Sequence, residues 1–361
     1  MLVVVIQLLM MMKTTVVEVV VLLFMCVVLT VAESSMQIVS YIPEWRFEGL
    51  NWNDVARGST HVILFSLETS KRGEIIQKDR LPRKEVFEEA RRRTREHGTK
   101  LMICFGGNGR SRGFGGLVKK SKRRRKFLSD LKKLIEVYDL DGVDYNWEYP
   151  GYIMGKGYMP EDGIRREYEG FGKLLKETRE VLGKEASITL AYYPDGRQEK
   201  LLMDIGAIKY VNSMHSMAYD QNGKHSTMEL AKKTVENART AGDSFLSKMT
   251  LGLPFYGRHV RTGEWKSYED IVSKMNIKSP DQDEVDGYYF NGPSTIRNKV
   301  KLAIKNGLAG VMIWETGQDC RVNAVTWGDT THEVTCPNGS SSSLLIAIHD
   351  VVSALEKGDD L

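Results

Sequence analysis

The chain has 361 residues, 42% of them hydrophobic, which is enough to bury a sizeable core in one large domain or two small ones. Its 51 lysines and arginines against 47 aspartates and glutamates leave a formal charge of +4, too mild for a nucleic-acid binder. Seven histidines show no pair at metal-ligand spacing, and no G-x-x-x-x-G-K-[ST] loop occurs, so neither a metal nor another cofactor is expected.

The first thirty or so residues carry almost no charge beyond Lys13 and Glu18 and run through Val19-Val20-Val21-Leu22-Leu23-Phe24 to Thr30-Val31-Ala32. A positive residue, an apolar stretch and small residues before a cleavage point make residues 1–32 a secretory signal. An uncleaved membrane anchor is the competing reading, because apolar residues also precede Lys13. With the signal removed, residues 33–361 form one secreted domain with no stable membrane insertion, taken to be a monomer. The tail Gly358-Asp359-Asp360-Leu361 departs from the K-D-E-L retention address at its first and third positions.

Short apolar runs then alternate with amphipathic stretches, which argues for repeated βα units and a parallel sheet. The runs predict strands at 37–41, 61–67, 101–105, 142–147, 187–193, 210–219, 250–253 and 309–314. Helical periodicity predicts helices over 84–97, 124–138, 164–182, 227–240, 294–306 and 344–355. Eight strands with intervening helices is the count of an α/β fold of the (β/α)8 TIM-barrel type, here with a short insertion between strands 7 and 8. A doubly wound open sheet is the alternative.

Features outside this pattern have plainer readings. The basic run Lys119-Lys120-Ser121-Lys122-Arg123-Arg124-Arg125-Lys126 has no interleaved aromatic and reads as a solvated helix start. Cys320 and Cys336 share one polar loop, where an oxidising compartment favours joining them. Cys104 sits in an apolar strand and reads as an inert buried thiol. Asn338-Gly339-Ser340 is a glycosylation sequon in the same loop as the two cysteines. Gly109-Arg110-Ser111-Arg112-Gly113 formally fits a nucleophile elbow, but the elbow needs its serine on a tight turn directly off a strand, and three residues intervene.

The segment Leu140 to Pro150 reads L-D-G-V-D-Y-N-W-E-Y-P. Strand alternation puts Asp144, Asn146 and Glu148 on one face and Tyr145, Trp147 and Tyr149 on the other. Polar groups facing a core are costly unless partnered, so three in a row suggest a site that opens at the Glu148 end. A carboxylic acid at a strand end beside a second carboxylate suits acid–base chemistry, with Glu148 as proton donor and Asp144 tuning it through Asn146. A satisfied hydrogen-bond network in a barrel interior is the competing reading.

Asp141-Gly142-Val143-Asp144-Tyr145-Asn146-Trp147-Glu148 resembles the D-G-x-D-x-D-x-E signature of glycoside hydrolase family 18, the chitinases and their relatives. Lys100 to Gly107 resembles the family's third-strand S-x-G-G element, with Cys104 where serine is usual and Gly106 and Gly107 as its glycines. Met217-Ala218-Tyr219-Asp220 fits its sixth-strand M-x-Y-D, Gly252 to Arg258 its seventh-strand segment, and Gly310 to Trp314 its eighth. The resemblance spans nearly all of residues 37–356, and five ordered elements are far more specific than one.

It implies a (β/α)8 barrel that hydrolyses β-1,4 bonds of chitin or chito-oligosaccharides with retention, the sugar's own acetamido oxygen serving as nucleophile. Glu148 matches the general acid and base, Asp144 the inner aspartate of a relay, and Asp141 an outer, mainly structural one. Tyr219 and Asp220 match residues that bind the acetamido group and the reacting sugar. Trp314 matches the floor on which that sugar stacks. Tyr41, Met217, Tyr256 and Arg258 join them as candidate substrate-binding residues.

Asn146 departs from the pattern, standing where an aspartate normally holds the acetamido N–H and balances a positive intermediate. Asparagine can accept a hydrogen bond but has no charge and cannot ferry a proton. A chitin-binding lectin with weakened or lost hydrolysis is therefore the alternative function, and an endo-β-N-acetylglucosaminidase a third. The intact Glu148 favours an enzyme. Only His259 to Leu308 separates the seventh and eighth strands, and the resulting shallower cleft suits endo-acting or loosely processive cleavage.

Overall fold

The computed structural model describes residues 36–357. The signal assigned to residues 1–32 and the tail at 358–361 lie outside the described residues. Among the described residues no helix is long and apolar enough to cross a membrane.

Eight parallel strands surround one axis: β1 Gln37–Pro43, β2 His61–Thr69, β3 Lys100–Gly106, β4 Gly142–Asn146, β5 Ser187–Tyr192, β6 Ser213–Ser216, β7 Met249–Pro254 and β8 Gly310–Trp314. Each pairs with its neighbours in chain order, and β1 pairs with both β2 and β8, so the sheet closes on itself. With a layer of helices outside, this is the (β/α)8 barrel that the alternation of runs predicts.

Alternation along each strand splits the core in two. One set of side chains, including Val62, Leu101, Val143 and Leu190, packs outward against helix residues such as Phe127, Leu131 and Phe171. The other set, including Val39, Tyr41, Ile63, Met102, Cys104 and Met312, fills the barrel interior. The helices that cover the outside follow their apolar periodicity. Lys84–Glu96, for example, buries Val86, Ala90 and Thr94 four residues apart and leaves most of its arginines and glutamates outward. Thr227 caps the helix Met228–Ala241 by accepting from Leu230 N–H, and Pro293 opens the helix Pro293–Lys305, where its missing N–H costs nothing.

Two stretches depart from the sequence expectation. β6 is four residues long rather than the run of 210–219, because Ala207–Lys209 forms a 3-10 turn before it and residues 217–219 turn tightly after it. Met217 N–H bonds Tyr192 O at 2.9 Å, and Tyr219 N–H bonds Met217 O at 2.8 Å. The insertion between β7 and β8 is short but ordered. It builds a four-stranded antiparallel sheet from Trp265–Ser267, Tyr256–His259, Tyr288–Tyr289 and Glu284–Val285, with the helix Tyr268–Lys274 beside it.

The basic run does start a helix, Ser121–Val137. Lys119, Lys120, Lys122, Arg125 and Lys126 are exposed, whereas Arg124 turns inward and pairs with Glu177 at 2.7 Å. Cys320 and Cys336 form a disulfide with Cα atoms 4.9 Å apart, and Cys104 is free and buried. Asn338 lies exposed two residues beyond that bond.

Candidate active site

β4 carries the polar ladder into the barrel. Val143 and Tyr145 face the helices, where the Tyr145 hydroxyl meets Thr178 Oγ1 at 2.8 Å and its ring meets Phe171 edge to face. Asp144 and Asn146 face inward, 0% and 4% exposed. Asp144 is fully engaged: Tyr41 O–H donates to Oδ2 at 2.8 Å and Thr189 O–H to Oδ1 at 2.7 Å. Burial pushes its carboxyl up, and bonds from Thr189, Cys104 and Tyr41 pull it back. His215 Nε2 lies 4.0 Å from Asp144 Oδ1, but burial holds this imidazole down at about 3, so it is a neutral neighbour rather than a counter-charge.

β4 stops at Asn146, and Glu148 stands two residues past its end at the rim of a pocket of about 270 Å³. Burial, the largest influence, pushes the Glu148 carboxyl up to about 7. The Asn146 amide and the Asn108 backbone N–H oppose that rise, and the negative Asp220 adds to it. Asn146 Oδ1 is a buried acceptor with no partner. Because the regular strand has ended, Tyr149 does not follow the alternation expected of it. It lines the pocket with Glu148 instead of facing the helices.

Three other strands bring sequence-predicted residues to the same pocket. Tyr41 from β1, Met217, Tyr219 and Asp220 from the turn after β6, and Trp314 at the end of β8 all line it. Trp314 packs edge to face on Phe65 with ring centres 4.6 Å apart and on Tyr41 at 5.8 Å, which fixes its indole plane. Asp220, at φ +65°, receives Tyr256 O–H at 2.7 Å and Arg258 Nη1 at 3.0 Å, with His225 Nδ1 3.7 Å away. Burial pushes the Asp220 carboxyl up, but His225, Tyr256 and Arg258 together outweigh it and hold the group below its usual range.

Tyr256 and Arg258 therefore meet the site through Asp220, and neither lines the pocket itself. Asp141 lies at the opposite end of β4. It accepts Leu101 N–H at 2.7 Å and Arg91 Nη1 at 2.6 Å, tying β3, β4 and the helix Lys84–Glu96 together at the barrel floor. Gly106 and Gly107 contribute backbone, at φ 100° and 110°. Several lining residues carry no sequence signal as single positions: Trp45, Phe65, Asn108, Arg110, Ala191 and Tyr193. All but Phe65, which lies midway along β2, follow a barrel strand or sit at its last residues, so a reading of strand ends as site residues would have reached them.

The pocket therefore lies at the C-terminal face of the barrel, the end at which (β/α)8 enzymes place their chemistry. The chain matches the model for glycosyl hydrolases family 18 over residues 37–319, and it belongs to that family. It is 24% identical over 311 residues to a probable chitinase 2 of Drosophila melanogaster, covering 68% of this chain and 62% of that protein. It is 26% identical over 271 residues to chitinase 63 of Streptomyces plicatus, covering 61% of this chain and 43% of that protein. The chain thus spans about two-fifths to three-fifths of these relatives. Among solved structures, the chitinase ChiB from the chitin utilization locus of Flavobacterium johnsoniae superposes with a TM-score of 0.67 at 23% identity, covering 89% of this chain and 95% of that one. A group IV chitinase of Ostrinia furnacalis in complex with allosamidin superposes at 0.68 and 18% identity, covering 90% and 100%. These likenesses agree with the barrel fold.

Proposed function

We propose that the protein is a secreted chitinase-like glycosidase that cleaves β-1,4 bonds of chitin or chito-oligosaccharides with retention. The observation that carries this reading is Glu148, a carboxyl pushed up to about 7 at the rim of the pocket beside an unpartnered acceptor on Asn146. A carboxyl in that range is largely protonated in mildly acidic medium and can still lose its proton, which a general acid that later acts as base requires. Glu148 protonates the leaving oxygen while the sugar's acetamido oxygen attacks the anomeric carbon. A water then displaces the acetamido oxygen from that carbon and gives its proton to Glu148. Asn146 Oδ1 receives the acetamido N–H, the Tyr219 hydroxyl holds the acetamido oxygen, Asp220 holds the reacting sugar, and Trp314 is the face on which that sugar lies.

Removal of residues 1–32 as a signal and glycosylation of the exposed Asn338 belong to the same proposal. The Cys320–Cys336 disulfide supports it, since such bonds persist in oxidising compartments. The neutral Asn146 favours a second reading, a chitin-binding lectin that retains the aromatic floor. Hydrolysis of a fluorogenic chitobioside by wild type and Glu148→Gln separates the two. Wild-type turnover that disappears in Glu148→Gln supports the glycosidase. A wild type that binds chito-oligosaccharides without cleaving them is the lectin.

A further inference from the structure

The loop after β3 turns on two glycines. A Cβ on Gly106 would stand 2.3 Å from Asn146 O, and one on Gly107 2.3 Å from the Phe65 ring, so the backbone can pass here only without side chains. This turn opens the pocket and also ends the β3–β4 ladder, whose last pair is Gly106 with Asn146. Glu148 lies two residues beyond that pair, where no carbonyl of β3 faces its backbone N–H.

Ser111 takes the place of that missing carbonyl. Glu148 N–H donates to Ser111 Oγ at 3.0 Å. The Ser111 hydroxyl in turn donates toward Gly107 O at 3.1 Å and Asn146 O at 3.3 Å, and Gly107 N–H bonds the same Asn146 O at 2.7 Å. One hydroxyl thus adds a further rung to the sheet at the residue that bears the acid. Among the described residues Ser111 Oγ bonds only backbone groups and no histidine, so it lacks the base that would make it a nucleophile. The loop is anchored in its middle, where the Arg110 guanidinium holds Glu44 by two bonds of 2.6 and 3.1 Å.

We propose that Ser111 is the positioning residue of the acid: by binding the Glu148 backbone it fixes where the carboxyl sits between Asn146 and Asp220. This rests on the reading of Glu148 as general acid, and it assigns a purpose to a serine whose G-x-S-x-G context otherwise suggests a different chemistry. Misplacing a reacting group by about 1 Å costs on the order of a hundredfold in rate, whereas sugar contacts elsewhere in the pocket are untouched.

The test compares Ser111→Ala and Ser111→Thr with wild type in melting temperature, in kcat and KM on a fluorogenic chitobioside, and in the titration of Glu148. That titration is followed by carboxyl carbon NMR, with the signal assigned by its absence in Glu148→Gln. Ser111→Ala lowers kcat by about 10- to 100-fold with KM nearly unchanged and displaces the Glu148 midpoint. Ser111→Thr keeps a hydroxyl and restores most of both. A Ser111→Ala protein with wild-type kcat and midpoint overturns the proposal, and so do equal losses in the alanine and threonine variants. If Ser111→Ala does not fold, Ser111→Cys, a weaker acceptor of similar shape, is compared with threonine instead. A wild type without turnover removes the glycosidase reading alone, and the Glu148 midpoints then decide the role of Ser111 by themselves.

Discussion

Tyr41 and Asp144 meet across the barrel, the phenol donating to Oδ2 at 2.8 Å. With Thr189 on Oδ1 and the Cys104 thiol also directed at the carboxylate, Asp144 is held in place by three side chains. It cannot turn toward Asn146 without giving up one of these bonds. Asn146 in turn offers a neutral amide to Glu148, so the inner carboxylate and the acid share no proton. The Glu148 carboxyl is tuned first by burial, then by the Asn146 amide that opposes it and by Asp220 that adds to it, rather than by a chain of carboxylates.

Restoring charge at Asn146 tests that arrangement. In Asn146→Asp a carboxylate stands beside the positive charge that develops on the sugar, and turnover of chitobioside rises by about 10- to 100-fold. The same negative charge makes deprotonation of Glu148 harder, so the alkaline limb of the pH–rate profile moves to higher pH. Rates and profiles of the two proteins measured side by side check both effects. No gain in rate would mean that the site is already adapted to asparagine.

The acidity of Glu148 sets the pH response of the wild type. The general acid must enter protonated, so kcat/KM holds below pH 7 and falls above it, following a carboxyl pushed up to about 7. Stability follows the same group. Its folded value lies above the ordinary carboxylate value, so its contribution is fully present below about pH 4 and is lost as pH rises through 7. Glu148→Gln has no proton to lose. It therefore gains on wild type by about 3 kcal/mol between pH 4 and pH 8, a change that melting curves at the two pH values detect.

Trp314 offers a test of binding apart from chemistry. Its indole is wedged between Phe65 and Tyr41, so Trp314→Ala removes both a sugar-facing surface and two edge-to-face contacts. In a Glu148→Gln background, where hydrolysis does not intrude, the substitution weakens chito-oligosaccharide binding by about tenfold, on the order of 1.4 kcal/mol. Calorimetric titration with a chitotetraose measures it. Undiminished affinity would move the sugar platform elsewhere in the pocket.

The barrel was legible because its strands are buried on both faces and read as apolar runs, and because Asp144 and Asn146 interrupt one such run. Glu148 could be placed at the open end from alternation alone. Alternation failed one residue later, at Tyr149, because pairing had already stopped at Asn146. What the sequence conceals is local closure by single side chains. Ser111 bonds residues 35 and 37 positions away through one hydroxyl, and no periodicity announces it. The antiparallel sheet of the insertion was hidden for a related reason, since its strands are two to four residues long, too short for a pattern.

Lys299 was equally silent, since it occupies an ordinary position in an amphipathic helix, yet it is 0% exposed. Its ammonium donates to Ser226 O at 2.9 Å, Ser226 Oγ at 2.7 Å and Asn291 Oδ1 at 2.7 Å, and Asn291 Nδ2 returns to Ser226 O at 2.9 Å. Ser226 O–H reaches Ala218 O at 3.1 Å, so the knot fastens the helix Pro293–Lys305 to the turn that bears Tyr219 and Asp220. Lys299→Met fills the space but leaves Asn291 Oδ1 without its donor and weakens the grip on Ser226. It costs about 1–3 kcal/mol, seen as a lower melting temperature, and lets the turn loosen. KM for the chitobioside rises several-fold for that reason, while the pH at which the alkaline limb falls stays near 7, because Glu148 is held from the other side by the β3 loop. A variant with lowered stability but unchanged KM would show that the turn is held by the Tyr256 and Arg258 contacts to Asp220 instead.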